Sequence, residues 1–116
     1  ALHMRSINRV QILGHVGKVI PMQKVTKIDV GTNRYWKDEE GDNQTTTDWC
    51  TLTVLDQKTI EFVGANVSKG DPIYVEARVA NSTYERNGQK VYSTDLIVLL
   101  LNRFDPKENE FSVLVP

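Results

Sequence analysis

The sequence predicts an all-β domain: a small barrel of five strands with one short helix between the third and the fourth. Three observations predict it. Apolar and β-branched residues alternate with polar ones over several segments of strand length. Clusters of Gly, Asn, Asp and Pro separate those segments, and Asn87-Gly88 is the strongest tight-turn signal among them. Only one stretch, Asp56 to Gly70, carries helical spacing behind a capping residue. At 116 residues the chain reads as one domain, large enough to bury a core without disulfides or metal.

Asn8 to Val19 reads as the first strand, with Gly14 and Gly17 marking a bulge or sharp bend inside it and Pro21 ending it. Lys24 to Asn33 gives a second strand through Val25, Ile28 and Val30. It runs into the stretch that organises the chain, Thr32 to Leu55, which holds the only two tryptophans, Trp36 and Trp49. We expect a long β-hairpin there, with one Trp near the inner end of each arm and a polar loop from Lys37 to Thr47 between them. Arg34, Tyr35, Lys37 and Asp48 surround the rings with polar groups, a setting that suits partial exposure. The third strand ends near Leu55.

Asp56 caps the predicted helix, Ile60, Val63 and Val67 form its apolar face, and Lys69-Gly70 stops it. Pro72 to Val79 alternates Ile73, Val75, Ala77 and Val79 against Tyr74, Glu76 and Arg78, a fourth strand with one apolar face. Tyr84 and Tyr92 flank the Asn87-Gly88 turn, and Val91 to Leu101 is the fifth strand. Its aliphatic run, Leu96 to Leu101, predicts burial on both faces. Three strands, a helix and two strands in this order match the partly open Greek-key barrel called the OB-fold, whose face over strands two and three often binds oligonucleotides.

The composition excludes several classes. No apolar run is long enough to span a membrane, and the start lacks the architecture of a signal peptide. Cys50 is the only cysteine, so neither an internal disulfide nor a CxxC metal or redox site can form. Residues 1–4 fit poorly with the pattern from Arg5 onward and read as a cloning remnant or a processed N-terminus; from Asp105 to Pro116 we expect a short, loosely held polar tail. No phosphate-binding loop, dinucleotide fingerprint or zinc-protease motif occurs, and His3 and His15 stand near no convincing nucleophile. The acids from Asp38 to Asp42 lack the order of a calcium loop and read as a solvated hairpin tip. We expect no enzyme, no cofactor and no metal.

The net charge of −1 hides an uneven distribution. From Arg5 to Lys37 there are seven basic residues against one acid, and from Asp38 to Asp56 six acids and no Lys or Arg. A local basic surface is therefore compatible with a neutral total. Single-stranded nucleic acid is held by aromatic rings under its bases and by Lys or Arg beside its phosphates, because every base has a π-face and every linkage a charge. Trp36, Trp49 and Tyr84, interleaved with Arg34, Lys37, Arg78 and Arg86, supply both ingredients.

Five blocks then resemble one family. They are Arg5 to Gly17, Thr32 to Trp36, Thr47 to Trp49, Lys69-Gly70 with Ile73 to Glu76, and Gly88 to Thr94. In that order, over residues 5–104, the chain resembles the bacterial and mitochondrial single-stranded DNA-binding proteins. The resemblance implies a sequence-tolerant OB-fold homotetramer that binds and protects single-stranded DNA in replication, recombination and repair, with replication proteins as further partners. It implies stacking by Trp36, Trp49 and Tyr84, and phosphate contacts by Arg34, Lys37, Arg78, Arg86 and Lys90, with Arg5, Arg9 and Lys18 as additions. It also implies that the first strand pairs with a second subunit, so Asn8, Val10, Ile12, Cys50 and Tyr74 are the expected interface.

The departures are specific. Leu55 falls where many relatives place a stacking Phe, Cys50 where a His is common, and Val19 to Ile28 is shorter than usual. No Gly/Gln/Pro-rich tail with an acidic tip follows Phe104, which implies either its removal or the tailless mitochondrial type. With the mitochondrial-like opening Arg5 to Val10, the expected location is the mitochondrion, and the alternative is the bacterial cytoplasm. The rival functions are an OB-fold kept as a protein-assembly subunit and an RNA-binding module.

Overall fold

The computed structural model describes residues 4–104; the expected polar tail and all but Met4 of the expected N-terminal remnant lie outside the described residues. Five strands and one helix follow in the predicted order: β1 (Val10–Pro21), β2 (Thr26–Lys37), β3 (Asn43–Val54), α1 (Gln57–Asn66), β4 (Pro72–Arg86) and β5 (Gln89–Arg103). The strands close a barrel in the order β1-β2-β3-β5-β4, the OB-fold arrangement. Closure depends on β1 serving two partners. Val10 to His15 pairs antiparallel with β4, and His15 to Pro21 pairs antiparallel with β2. The bend between the two is made where the sequence places its glycines. A Cβ on Gly14 would run into the carbonyl oxygen of Gly31, and the β1–β2 register slips by one residue at Gly17.

Alternation sorts the side chains as the pattern predicts except at Val79, expected on the apolar face of β4 but exposed beyond the buried stretch that ends at Ala77. Ile28 and Val30 of β2, Leu52 and Val54 of β3, and Ile73, Val75 and Ala77 of β4 point inward and are fully buried. Burying each such aliphatic side chain contributes about 1.5–3 kcal/mol. Val63 of the helix and Val67, the residue that caps its C-terminus, join the core, while Ile60 packs beside them. Asp56 is its N-cap, accepting from the Thr59 backbone N–H at 3.0 Å. The loop after α1 lies across β1, with Val16 N donating to the Asp71 carbonyl and Gly70 N to the Val16 carbonyl.

Four expectations need correction. The loop between the tryptophans is far shorter than Lys37 to Thr47: strand pairing continues to Lys37↔Asn43, because five threonine, glutamine and asparagine residues at the start of β3 ladder as readily as apolar ones. Only one Trp is therefore near the inner end of its arm: Trp36 lies opposite Gln44 near the tip, whereas Trp49 lies opposite Gly31 at the barrel. Leu96 to Leu101 is not buried on both faces, since Leu99 and Leu100 are exposed and Leu99 is the extra residue of a bulge against Glu76 and Ala77. The helix stops at Asn66, before the expected Lys69-Gly70, because Val67 is already extended and turns its side chain into the core. Strand bounds moved too. β1 starts at Val10, β2 at Thr26, and β4 runs seven residues past Val79 to Arg86, carried by cross-strand pairs up to the Asn87-Gly88 turn.

Candidate nucleic-acid interface

Two antiparallel hairpins rise from the barrel, and the pleat decides what each face carries. In β2 and β3 the register pairs residues whose numbers sum to 80, so even-numbered residues continue the core side and odd-numbered ones the outer side. Trp49 thus stands on the outer face with Asn33, Tyr35, Lys37, Thr45 and Thr47. Trp36 stands on the other face with Arg34, Gln44, Thr46 and Asp48. Cross-strand bonds follow this division: Thr47 Oγ1 donates to Asn33 Oδ1 at 2.8 Å on one face, and Trp36 Nε1 to Thr46 Oγ1 at 2.9 Å on the other.

Trp49 is seated on glycine. The six-membered part of its indole lies over Gly17 and Gly31: a Cβ on Gly31 would come within 2.9 Å of ring atom Cζ3, and one on Gly17 would run into the same atom. His15 meets the ring edge-on, with centroids 5.5 Å apart and planes at 79°. The residue nonetheless keeps 57% of its surface exposed. Beside it an open hollow of ≈ 260 Å³ is lined by Gly17, Lys18, Asp29, Trp49 and Lys69. A π-face held in place beside two ammonium groups is what a base and its phosphate require.

Trp36 is 45% exposed, and its indole N–H is spent on Thr46, which fixes the ring near the tip. Arg34 on the same face is held by Asp48, with Nε to Oδ2 at 2.8 Å. The shared hydrogen bond holds the Asp48 carboxyl below its ordinary range and raises Arg34 further, so this arginine meets a phosphate only by sharing itself with a carboxylate. Lys37 is exposed and makes no ion pair among the described residues. At the tip the Asp38 carboxylate accepts from the backbone N–H groups of Asp42 at 2.9 Å and Glu40 at 3.0 Å. These bonds, Asp42 first, hold its carboxyl below the usual range.

In the β4–β5 hairpin Tyr84 is 48% exposed and shares its face with Arg78 and Arg86, whereas Lys90 and Tyr92 stand on the opposite face. Arg78, Arg86 and Lys90 have no carboxylate within ion-pair distance among the described residues. Of the additional cations, Arg5 is exposed and unpaired among the described residues, Arg9 is bound to Glu76 at 2.7 Å, and Lys18 stands 3.9 Å from Asp29. Leu55 is half exposed at the end of β3, and an aliphatic side chain there has no π-face to stack.

The expected interface residues divide likewise. Asn8 bonds the Val79 backbone twice at 2.8 Å and anchors the approach to β1. Val10 and Ile12 pair with Ala77 and Val75, and Ile12 packs on the core. Their segment leaves its second edge unpaired among the described residues, since pairing with β2 starts at His15. Tyr74 sits on the outer face of β4, donating to Glu76 and accepting from Gln11. The bond to Glu76 raises the Tyr74 hydroxyl pKa and lowers that of the carboxyl. Cys50 is half-buried against the core, and burial raises its thiol.

Sequence reading missed Tyr35, Lys69 and the glycine seat. The signal for Tyr35 was present: two consecutive aromatics in a strand must face opposite ways. Lys69 and the seat come from elements far apart in the chain and carry no local mark.

Similarity to known proteins extends over the whole described fold. Residues 7–104 match the Single-strand binding protein family. A single-stranded DNA-binding protein of Xanthomonas campestris is 33% identical over 101 residues, covering 80% of this chain and 58% of the relative, so the chain spans little more than half of that protein's length. The mitochondrial single-stranded DNA-binding protein of S. cerevisiae has a similar structure, with a TM-score of 0.60 and 26% identity over 85% of this chain and 96% of that one. The Plasmodium falciparum protein, solved in complex with single-stranded DNA, shares the fold with a TM-score of 0.70 at 23% identity, covering 90% of this chain and all (100%) of that one.

Proposed function

The chain belongs to the single-strand binding protein family, and on that footing we propose that it binds single-stranded DNA in a sequence-tolerant way, without catalysis. The observation that carries the reading is the Trp49 seat: a large ring, fixed on glycine backbone and edged by His15, yet 57% exposed beside Lys18 and Lys69. A buried core tryptophan would not be left open in this way. Bases stack on Trp49, Trp36 and Tyr84. Lys37, Arg78, Arg86 and Lys90 take phosphates, and Arg34 joins them where Asp48 releases it.

The edge of β1 at Val10 to Leu13, unpaired among the described residues, supports assembly through strand pairing with a second copy, and the working particle is a homotetramer. Several such surfaces on one particle raise the effective concentration of each for a strand already bound. The role is protection of single strands in replication, recombination and repair, alongside replication proteins. The location is the mitochondrion, by the resemblance of the Arg5 to Val10 opening, or the cytoplasm of a bacterium.

Fluorescence titration with oligothymidine tests the reading, because Trp36 and Trp49 are the only tryptophans. Saturable quenching that weakens as salt is raised is the expected result. A folded protein whose emission ignores the oligomer would overturn it. Competition with the matched RNA oligomer decides the nucleic-acid preference.

A further inference from the structure

Tyr35 is the most exposed of the large aromatic residues on the β2–β3 hairpin, at 77%, and no hydrogen bond or ring contact restrains it among the described residues. What sets this ring apart from the other exposed tyrosines is its place on the β2–β3 hairpin that carries Trp49. The pleat turns it away from Trp36, its neighbour in sequence, and onto the face that carries Trp49. From Gly31, opposite Trp49, to Tyr35 is four residues, roughly 13 Å at about 3.3 Å per residue. That is more than one nucleotide step of about 3.4 Å, so the two rings hold different bases. Between them lies the flat hydrogen-bonded pair of Asn33 and Thr47.

An open hollow of ≈ 350 Å³ is lined by Tyr35, Trp36, Lys37, Asn43, Gln44 and Thr45. The side chains of Tyr35, Lys37, Asn43 and Thr45 share the outer face. Together they offer a π-face, an unpaired ammonium and an amide, which are the groups that hold a base, a phosphate and a sugar or base edge. Beyond Lys37, Glu39, Glu40 and Asp42 are exposed, and their charge repels a phosphate chain, so the favourable surface ends there.

We propose that Tyr35 and Lys37 form a nucleotide subsite on the outer face of the β2–β3 hairpin, continuous with Trp49, at a hollow that Trp36 also lines. This rests on the single-stranded DNA reading above. A strand segment on Trp49 therefore continues onto Tyr35, where Trp36 borders the same hollow.

Oligothymidine carrying 5-iodouracil tests it by photocross-linking and peptide mapping, together with the affinities of Tyr35→Ala and Tyr35→Phe. The expected result is a cross-link on Tyr35 and affinity about fivefold or more weaker for Tyr35→Ala, the lower end of one stacked base. Tyr35→Phe keeps wild-type affinity, since stacking needs no hydroxyl, and unchanged melting temperatures show that the fold is intact. Cross-links confined to Trp36 or Trp49, with tryptophan quenching intact and Tyr35→Ala at wild-type affinity, overturn the subsite while leaving the DNA reading standing. Equal losses in Tyr35→Ala and Tyr35→Phe overturn stacking at this position. Wild-type protein that neither quenches nor cross-links overturns both.

Discussion

The two hairpins that rise from the barrel are built alike and equipped differently. Each is a full-length antiparallel ladder, with strands of 12 residues in β2–β3 and 15 in β4–β5. The first ends in a turn held by the Asp38 carboxylate with Gly41 at φ +84°. The second ends in the two-residue Asn87-Gly88 turn, both residues at positive φ, the geometry that matches strand twist. β2–β3 concentrates indoles, and its arginine is already engaged by Asp48. β4–β5 carries one candidate stacking ring, Tyr84, with Arg78 and Arg86 on its face and Lys90 behind, none of them in an ion pair among the described residues. The first hairpin thus supplies most of the ring surface, with Lys37 its one cation outside an ion pair among the described residues, and the second supplies most of the free charge. Stacking and counterion release are distinguishable by salt, so the difference can be measured.

The largest effect belongs to the indoles. Trp36→Ala and Trp49→Ala each remove one stacked base, about 1–3 kcal/mol of binding. Gly31 and Trp36 are roughly 16 Å apart along β2 at about 3.3 Å per residue, and the rings face opposite ways, so the double variant should lose the sum. Equilibrium titrations showing a loss well short of the sum would mean that the rings share one base, against the geometry. Next comes the seat. Gly17→Ala forces the indole off its position and should weaken binding by about 0.5–1.5 kcal/mol, the cost of an off-rotamer ring, with a shift in tryptophan emission. Gly64→Ala, whose Cβ would meet nothing within 4 Å, is the control and should change neither.

Charge comes third. Arg86→Gln and Lys90→Gln should each lower the slope of log affinity against log salt by about 0.7, one single-strand phosphate contact, whereas the tryptophan variants leave the slope alone. Titrations across a salt series separate the two. The smallest effect concerns the turns. The Asp38 carboxyl lies below its ordinary 3.8 in the folded chain, held there by backbone N–H groups. Its contribution to stability is therefore fully present above that value and is lost as pH falls through the lower folded value. NMR titration should show Asp38 protonating below pH 3.8 with the amides of Glu40 and Asp42 moving with it, while the Asn87-Gly88 turn, which uses no carboxylate, stays unchanged.

Much of this was legible in the chain. Alternation through Pro72 to Ala77 placed Ile73, Val75 and Ala77 inside, the Asp56 cap and the 60/63/67 spacing placed the helix, and Asn87-Gly88 placed a turn. The reading failed where polar residues extend a ladder, as from Asn43 to Thr47, because hydrogen-bonded backbone does not require apolar side chains. It failed again at Leu99 and Leu100, where an aliphatic run expected to be buried on both faces holds a bulge and leaves both side chains exposed.

By itself, then, the sequence determined the order of elements, the core residues of α1 and of the first half of β4, and the identity of the rings and cations. These follow from local periodicity and residue chemistry, which act over a few positions. Only the tertiary structure decided which groups meet. The ladder register put Trp36 and Trp49 on opposite faces, the bend of β1 brought Gly17 and His15 under Trp49, and the crossing of the α1–β4 loop delivered Lys69 beside it. Register and barrel closure are set by pairing between distant segments, and no window of the sequence contains both partners.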